Sequence, residues 1–418
     1  MDSGTTFALG SGSASTALRA AETDRLTALL KGRLDALVIC LSHSWGGLEQ
    51  VAANDSLELG RIGLKARVLC LQGSPIHEHL AHRSEVELVP IDFRPRDHFD
   101  LGMRRELKRL RADGVNLIHT HQTSILGSIV PWFYRDRRLT LLASRHIMND
   151  HSKRTPWHLL LYRRLDALVV MSRALRRNVI ATHPLRERQV KVIHLGLDFD
   201  LFDPEKVNPQ RQRAEWGADE NTIVIGMVGR IDPAKGQATF IKAAAGIMKR
   251  LREGEKVKFV IVGEETLGST SNYVEELREV VSQFRIGAHV VFAGYQENIP
   301  EVMRALDIFV MPSRQEAFGL VAIEAMAMEC PIVISRGGSA DEIVGEQEFG
   351  LLVRPEDAFD LQRQLRYLLD NPMERVRMGQ AAREHVSHNY DRRVRLQRTL
   401  SLYERFLRQK EKWEDGSR

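Results

Sequence analysis

Cysteine is scarce: Cys40, Cys70 and Cys330 are the only three in 418 residues, widely separated and never in a CxxC pair. That pattern excludes a disulfide-stapled scaffold and a structural zinc site, and it fits a reducing compartment. Long apolar runs are missing too. The longest candidate, 124–134, falls well short of the roughly 20 residues that cross a bilayer and contains a proline. The first 16 residues are rich in Gly, Ser and Thr and lack the basic-then-apolar order of a secretory leader. Residues 1–32 are therefore expected to form a flexible tail, and the protein to be cytoplasmic. Aromatic residues make up only 6% of the chain and do not interleave with its basic clusters in an RNA-binding pattern, so no nucleic-acid partner is expected.

What the chain does have is an uneven charge. Residues 1–200 carry 29 Lys and Arg against 21 Asp and Glu, whereas residues 201–418 carry 31 against 34. The basic excess is densest at Arg104, Arg105, Lys108, Arg109 and Arg111, then at Arg135, Arg137 and Arg138, then at Arg173, Arg176 and Arg177. Such patches are either solvated helix faces or attractors of polyanions, here an anionic membrane surface or an anionic acceptor.

Short apolar runs alternate with amphipathic stretches from residue 33 onward, the rhythm of a parallel sheet covered on both faces. Residues 36–41, 66–71, 86–89, 116–119, 140–144 and 167–171 read as strands. The rhythm restarts at 222–229 and continues at 258–263, 289–294, 308–312, 331–335 and 350–353. The expected fold class is α/β, with two Rossmann-like doubly wound domains facing a central cleft. The boundaries read as a domain over 33–196, a linker over 197–217 with two prolines and no regular period, a second domain over 218–388, and a helix over 389–418 packing back on the first. Ligands of such folds bind outside the carboxyl ends of the strands.

Two motifs in the second domain carry chemistry. In PSRQEAFGLVAIE, 312–324, Glu316 precedes a helix start and Glu324 lies inside that helix, so two carboxylates address different parts of one elongated ligand. Backbone N–H groups at Phe318, Gly319 and Leu320, with the helix dipole, suit a diphosphate between them. After the strand at 222–229 come Arg230 and Lys235 on one turn, a fork of donors and a mobile point charge that together make a phosphate clamp. In the first domain, His119 and His121 point to one face if the strand continues through them. His146 and His151 are the further partners a metal site would require; no metal is expected.

These pieces give the chain a close resemblance to family 4 retaining glycosyltransferases, also called glycosyltransferase group 1, of the GT-B fold. The matching segments are GGLEQ at 46–50, IHTHQT at 118–123, VIHLGLDFDLF at 192–202, VGRIDPAKG at 228–236, the E-x7-E stretch from Glu316 to Glu324, and GLLVRPED at 350–357. The resemblance implies that Arg230 and Lys235 hold the donor diphosphate, Glu316 binds hydroxyls of the transferred sugar and Glu324 takes the ribose hydroxyls. It implies that Gly46 and Gly47 let the first domain's backbone approach diphosphate and acceptor, that His121 lies near sugar and acceptor, and that His146 is a second acceptor-side candidate. His119 is expected to be a buried, satisfied strand-end residue. Backbone near Gly294 and Tyr295 would recognise the base, with UDP, GDP and ADP all open. The loop at 264–273, EETLGSTSNY, is longer than the short Gly-containing turn usual in the family.

The implied activity is transfer of a sugar from a nucleotide diphosphate sugar to a glycan or lipid-linked acceptor, without cofactor. The alternatives are a sugar nucleotide 2-epimerase on a similar fold and a noncatalytic polyanion-binding protein. Asp198 and Asp200 form a DxD, which in an unrelated glycosyltransferase fold binds a divalent cation. Here Asp198 is read as a backbone cap.

Overall fold

The computed structural model describes residues 11–96, 98–265, 272–345 and 347–414. The chain divides into two compact units, one built from residues up to Leu195 together with Arg392 onward, the other from Gly196–Asp391.

The first unit is a seven-stranded sheet of β1 (Asp35–Cys40), β2 (Lys65–Leu71), β3 (Glu87–Ile91), β4 (Leu117–Thr120), β5 (Thr140–Arg145), β6 (Ala167–Val170) and β7 (Val190–Val192). Its order is β3-β2-β1-β4-β5-β6-β7 and every neighbouring pair is parallel. All six residues of β1 and all four of β4 are buried, as expected of strands covered by helices on both faces. Register sets His119 of β4 between Val38 of β1 and Leu142 of β5. The loops after β1, β4 and β5 thus leave the same edge of the sheet side by side.

The expectation of a flexible tail fails over residues 11–30, which form the helix Ser11–Leu30; residues 1–10 lie outside the described residues. Leu26 and Leu30 are buried in one cluster with Leu400, Tyr403, Phe406 and Leu407 of the helix Arg392–Glu414. An isolated helix of this weak amphipathicity would be marginal, and a distant helix supplies the apolar surface that stabilises it.

The second unit is a six-stranded parallel sheet of β8 (Thr222–Val228), β9 (Lys256–Val262), β10 (Val290–Gly294), β11 (Ile308–Met311), β12 (Ile332–Ser335) and β13 (Leu351–Val353), in the order β10-β9-β8-β11-β12-β13. The segment read as a linker, 197–217, is part of this unit. Phe202 and Trp216 are buried, and Arg213 donates to the Asp307 carboxylate (3.0 Å) and the Ala305 carbonyl (3.0 Å). Its irregular sequence reflects a path held by side-chain hydrogen bonds. Asp198 accepts the Asp200 amide at 3.1 Å, a local turn cap.

Candidate active site

In the second unit the loops after β8, β11 and β12 are bound to one another. Asp232 caps the short turn Pro233–Lys235 by accepting the Ala234 amide at 2.9 Å. Gly236 follows with φ 81°, and a Cβ there would overlap the Pro312 carbonyl, so only glycine lets the β8 loop lie against the end of β11. The Arg314 amide then donates to the Ala234 carbonyl at 2.9 Å. Across this joint the Lys235 Nζ meets the Glu316 Oε2 at 2.8 Å. The structure thus brings together two residues that the sequence offered only as separate ligand groups. Arg230 has a side chain 56% exposed, 3.4 Å from Asp232.

The loop after β12 fixes the backbone of Glu316. Ser339 donates its amide to the Glu316 carbonyl at 3.0 Å and its hydroxyl to the Phe318 carbonyl at 2.7 Å. Gly338, at φ 59°, leaves no room for a Cβ against that same Glu316 carbonyl. Sequence reasoning missed Gly338 and Ser339, although the Gly-Gly-Ser one residue after an apolar strand was a usable signal.

Beyond Glu316, the Phe318 side chain is buried edge-on to Tyr390, so this residue can address a ligand only through its backbone. Gly319, at φ 80°, opens the helix Leu320–Ala327, whose amino end carries N–H groups and partial positive charge suited to an anion. Glu324 sits within that helix, and burial pushes its carboxyl up to about 7. On the other side of β8, the Gly294 carbonyl accepts the Gly263 amide at 2.8 Å. The Glu264 carboxylate accepts the Tyr295 amide at 3.3 Å while its carbonyl accepts the Ile231 amide at 2.9 Å. Gly294 and Tyr295 are thereby tied to the Arg230 loop, with Tyr295 68% exposed. Residues 266–271 of the long polar loop lie outside the described residues.

In the first unit, Gly46 caps the helix Gly47–Arg61 and donates its amide to Glu49 at 2.9 Å. A Cβ on Gly47 would meet nothing within 4 Å. The backbone amide of Leu41, at the end of β1, donates to the Gln122 side chain at 2.6 Å, joining this loop to the one after β4. There three imidazoles stack: His119 against His121 (centroids 4.8 Å) and His121 against His146 (5.5 Å). His119 is satisfied at both nitrogens, by the Tyr403 hydroxyl and the Ser144 hydroxyl, each at 2.8 Å. His121 is buried with no hydrogen-bond partner at either nitrogen among the described residues, and the same holds for the His146 Nε2. Burial is the first cause holding all three neutral, pushing His119 down to about 4, His146 down to about 3 and His121 well below its ordinary value. His151 is exposed, and among the described residues no group of three or more His, Cys, Asp or Glu is arranged to hold a metal ion.

Two parallel sheets, one ending in a joined cation and carboxylate loop ahead of a helix amino end, are the architecture of a GT-B glycosyltransferase. The comparisons with known proteins agree. A model described as Glycosyl transferases group 1 matches residues 208–385, and one described as Glycosyltransferase Family 4 matches residues 45–201. The D-inositol 3-phosphate glycosyltransferase of Corynebacterium efficiens is 29% identical over 316 residues, 71% of this chain and 73% of that protein. The lipopolysaccharide core biosynthesis mannosyltransferase LpsB of Rhizobium meliloti is 30% identical over 225 residues, 53% of this chain and 61% of that protein. Among solved structures, HepE from Anabaena in complex with UDP and glucose superimposes with a TM-score of 0.73 at 22% identity, covering 89% of this chain and 99% of that one. The chain belongs to glycosyltransferase family 4 and is a glycosyltransferase.

Proposed function

We propose that the protein moves a sugar from a nucleotide diphosphate sugar to an acceptor hydroxyl with retention of configuration, in the synthesis of an envelope polysaccharide, lipopolysaccharide or lipid-linked glycan. The observation that carries this reading is the Lys235–Glu316 pair at 2.8 Å beside the helix opened by Gly319. A leaving diphosphate gains negative charge as the glycosidic bond breaks. Lys235, Arg230 and the helix amino end are fixed donors for that charge. Glu316, held by its pair and by Ser339, would accept hydrogen bonds from sugar hydroxyls and is not a nucleophile. In a front-face reaction the diphosphate takes the acceptor's proton, so no separate base is required. The fixed cations replace a metal ion in this reading, and Asp198 stays a turn cap. Glu324 would take the ribose hydroxyls, the backbone at Gly294 and Tyr295 the base, and Gly46, Gly47, His121 and His146 the acceptor side. UDP and UDP-glucose bound to HepE support a nucleotide-sugar donor. Screening of nucleotide diphosphate sugars by mass spectrometry, with the free nucleotide diphosphate as readout, tests the reading; no turnover with any donor and acceptor pair would count against it.

A carrier on an anionic membrane surface fits the basic first half. The helix Leu101–Ala112 keeps only part of its charge for such a role. Arg109 pairs with Glu106 and Asp113, Arg111 pairs with Asp136, and Arg104 lies over the Trp132 ring at 5.0 Å. Arg105 and Lys108 are exposed, and the neighbouring Phe99 and Leu101 are exposed apolar side chains. No described helix is long and apolar enough to cross a membrane, so contact would be peripheral.

A further inference from the structure

The C-terminal helix reaches the imidazole stack by a second route besides Tyr403. Asp55, on the helix Gly47–Arg61, has its Oδ2 4.0 Å from the Nε2 of His121. Arg395, on the helix Arg392–Glu414, grips both oxygens of Asp55 through its Nε (2.7 Å) and Nη2 (2.5 Å). Its Nη1 donates to the His194 carbonyl at 3.1 Å and, more weakly, to the Ile193 carbonyl at 3.4 Å. Both side chains are only 11% exposed.

An unpaired carboxylate about 4 Å from an imidazole favours the imidazolium strongly when both are removed from water. The planar fork of an arginine satisfies both carboxylate oxygens at once, which a lysine does not. The groups facing His121 are His119 on β4, His146 just past the end of β5, Asp55 on the helix after β1, and Arg395 on the C-terminal helix. With Asp55 matched by Arg395, the cluster is electrically neutral, and a proton on any ring would add a second positive charge.

We propose that Arg395 is a positioning residue for the transfer reaction: by engaging Asp55 it keeps the buried His121 a neutral imidazole. The proposal rests on the acceptor-side role given to His121 above. Neutrality matters there because a retaining front-face reaction builds positive charge on the sugar, and an imidazolium beside it would oppose that charge. Nothing in the sequence links positions 55 and 395, which lie 340 residues apart.

The test uses the full chain with ring-labelled histidines, His121 being assigned through His121→Gln, and follows imidazole titration by NMR alongside the pH profile of turnover. In Arg395→Met the uncompensated Asp55 carboxylate should raise the His121 titration midpoint by about one to three pH units. The acid limb of the turnover profile should move up with it. The double variant Asp55→Asn with Arg395→Met should return both to wild-type values, a rescue that loss of packing alone would not produce. If Arg395→Met does not fold, Arg395→Lys retains the charge but loses the fork, and a smaller upward shift is expected. An unchanged His121 titration in the single variants, or no rescue in the double, would overturn the proposal. A titration that moves as described while the turnover profile stays fixed would uphold the electrostatic arrangement and overturn the role given to His121 in the reaction.

Discussion

The Lys235 ammonium and the Glu316 carboxylate stand 2.8 Å apart across two loops separated by 81 residues of sequence. Each therefore limits where the other can point, and a substitution at either leaves its partner misplaced as well as itself absent. Lys235→Ala and Glu316→Ala are each expected to reduce kcat/KM by roughly a hundredfold or more, the usual effect of removing one fixed group that meets developing charge. The double variant should be little worse than either single, because the two act as a unit. Melting temperature should change little, since a partly exposed pair contributes about 1 kcal/mol or less to stability. Near wild-type turnover in either variant would misplace the site.

Glu324 carries a pH signature. Its carboxyl is raised from an ordinary 4.5 to about 7 by burial, so the folded state holds a proton that the unfolded state releases. Stability contributed by this group is present below about pH 4.5 and declines as pH rises toward 7, after which it levels off. Glu324→Gln should remove that decline in denaturation experiments run across pH 4.5–7. Ribose hydroxyls are better bound by the carboxylate, so donor affinity should increase as pH rises through 7 in the wild type. The variant should show weaker and pH-independent binding with a smaller effect on kcat. Calorimetric titration with nucleotide diphosphate at several pH values reads both.

Activity should survive a chelator. Asp198→Asn combined with Asp200→Asn should lower stability more than turnover, because Asp198 accepts the Asp200 amide within a turn. Strict dependence on Mg²⁺ or Mn²⁺ would reverse this assignment.

The membrane reading predicts flotation with anionic vesicles at low ionic strength and release at high salt, with each exposed basic residue contributing about 1 kcal/mol. Arg105→Glu with Lys108→Glu should abolish flotation, whereas Arg109→Ala should have a weaker effect because Arg109 is already paired with Glu106 and Asp113. Equal recovery with neutral and anionic vesicles would leave a soluble acceptor as the better reading.

The strands were readable because a parallel strand buried on both faces appears as a continuous apolar run, as in β1 or β11. β7 escaped because it is three residues long and carries Lys191 at its centre. The helix Ser11–Leu30 escaped because its weak apolar stripe has meaning only opposite Leu400 and Tyr403. At the site, single groups such as Glu316, Lys235 and His121 were visible from local motifs. Their partners were not: Ser339 acts through backbone carbonyls, and Asp55 and Arg395 meet only once the chain has folded across its whole length.

The first unit cannot be finished in the order in which it is synthesised. Its sheet is complete in sequence by β7, yet Leu400 and Tyr403 of the last helix lie in its core, Tyr403 bonds His119 and Arg395 grips Asp55. While the second unit is still emerging from the ribosome, the first waits with an uncovered apolar face and an unmatched Asp55. Nascent chains stalled before residue 392 should accordingly be protease-sensitive in the first unit and become resistant when the final helix is released.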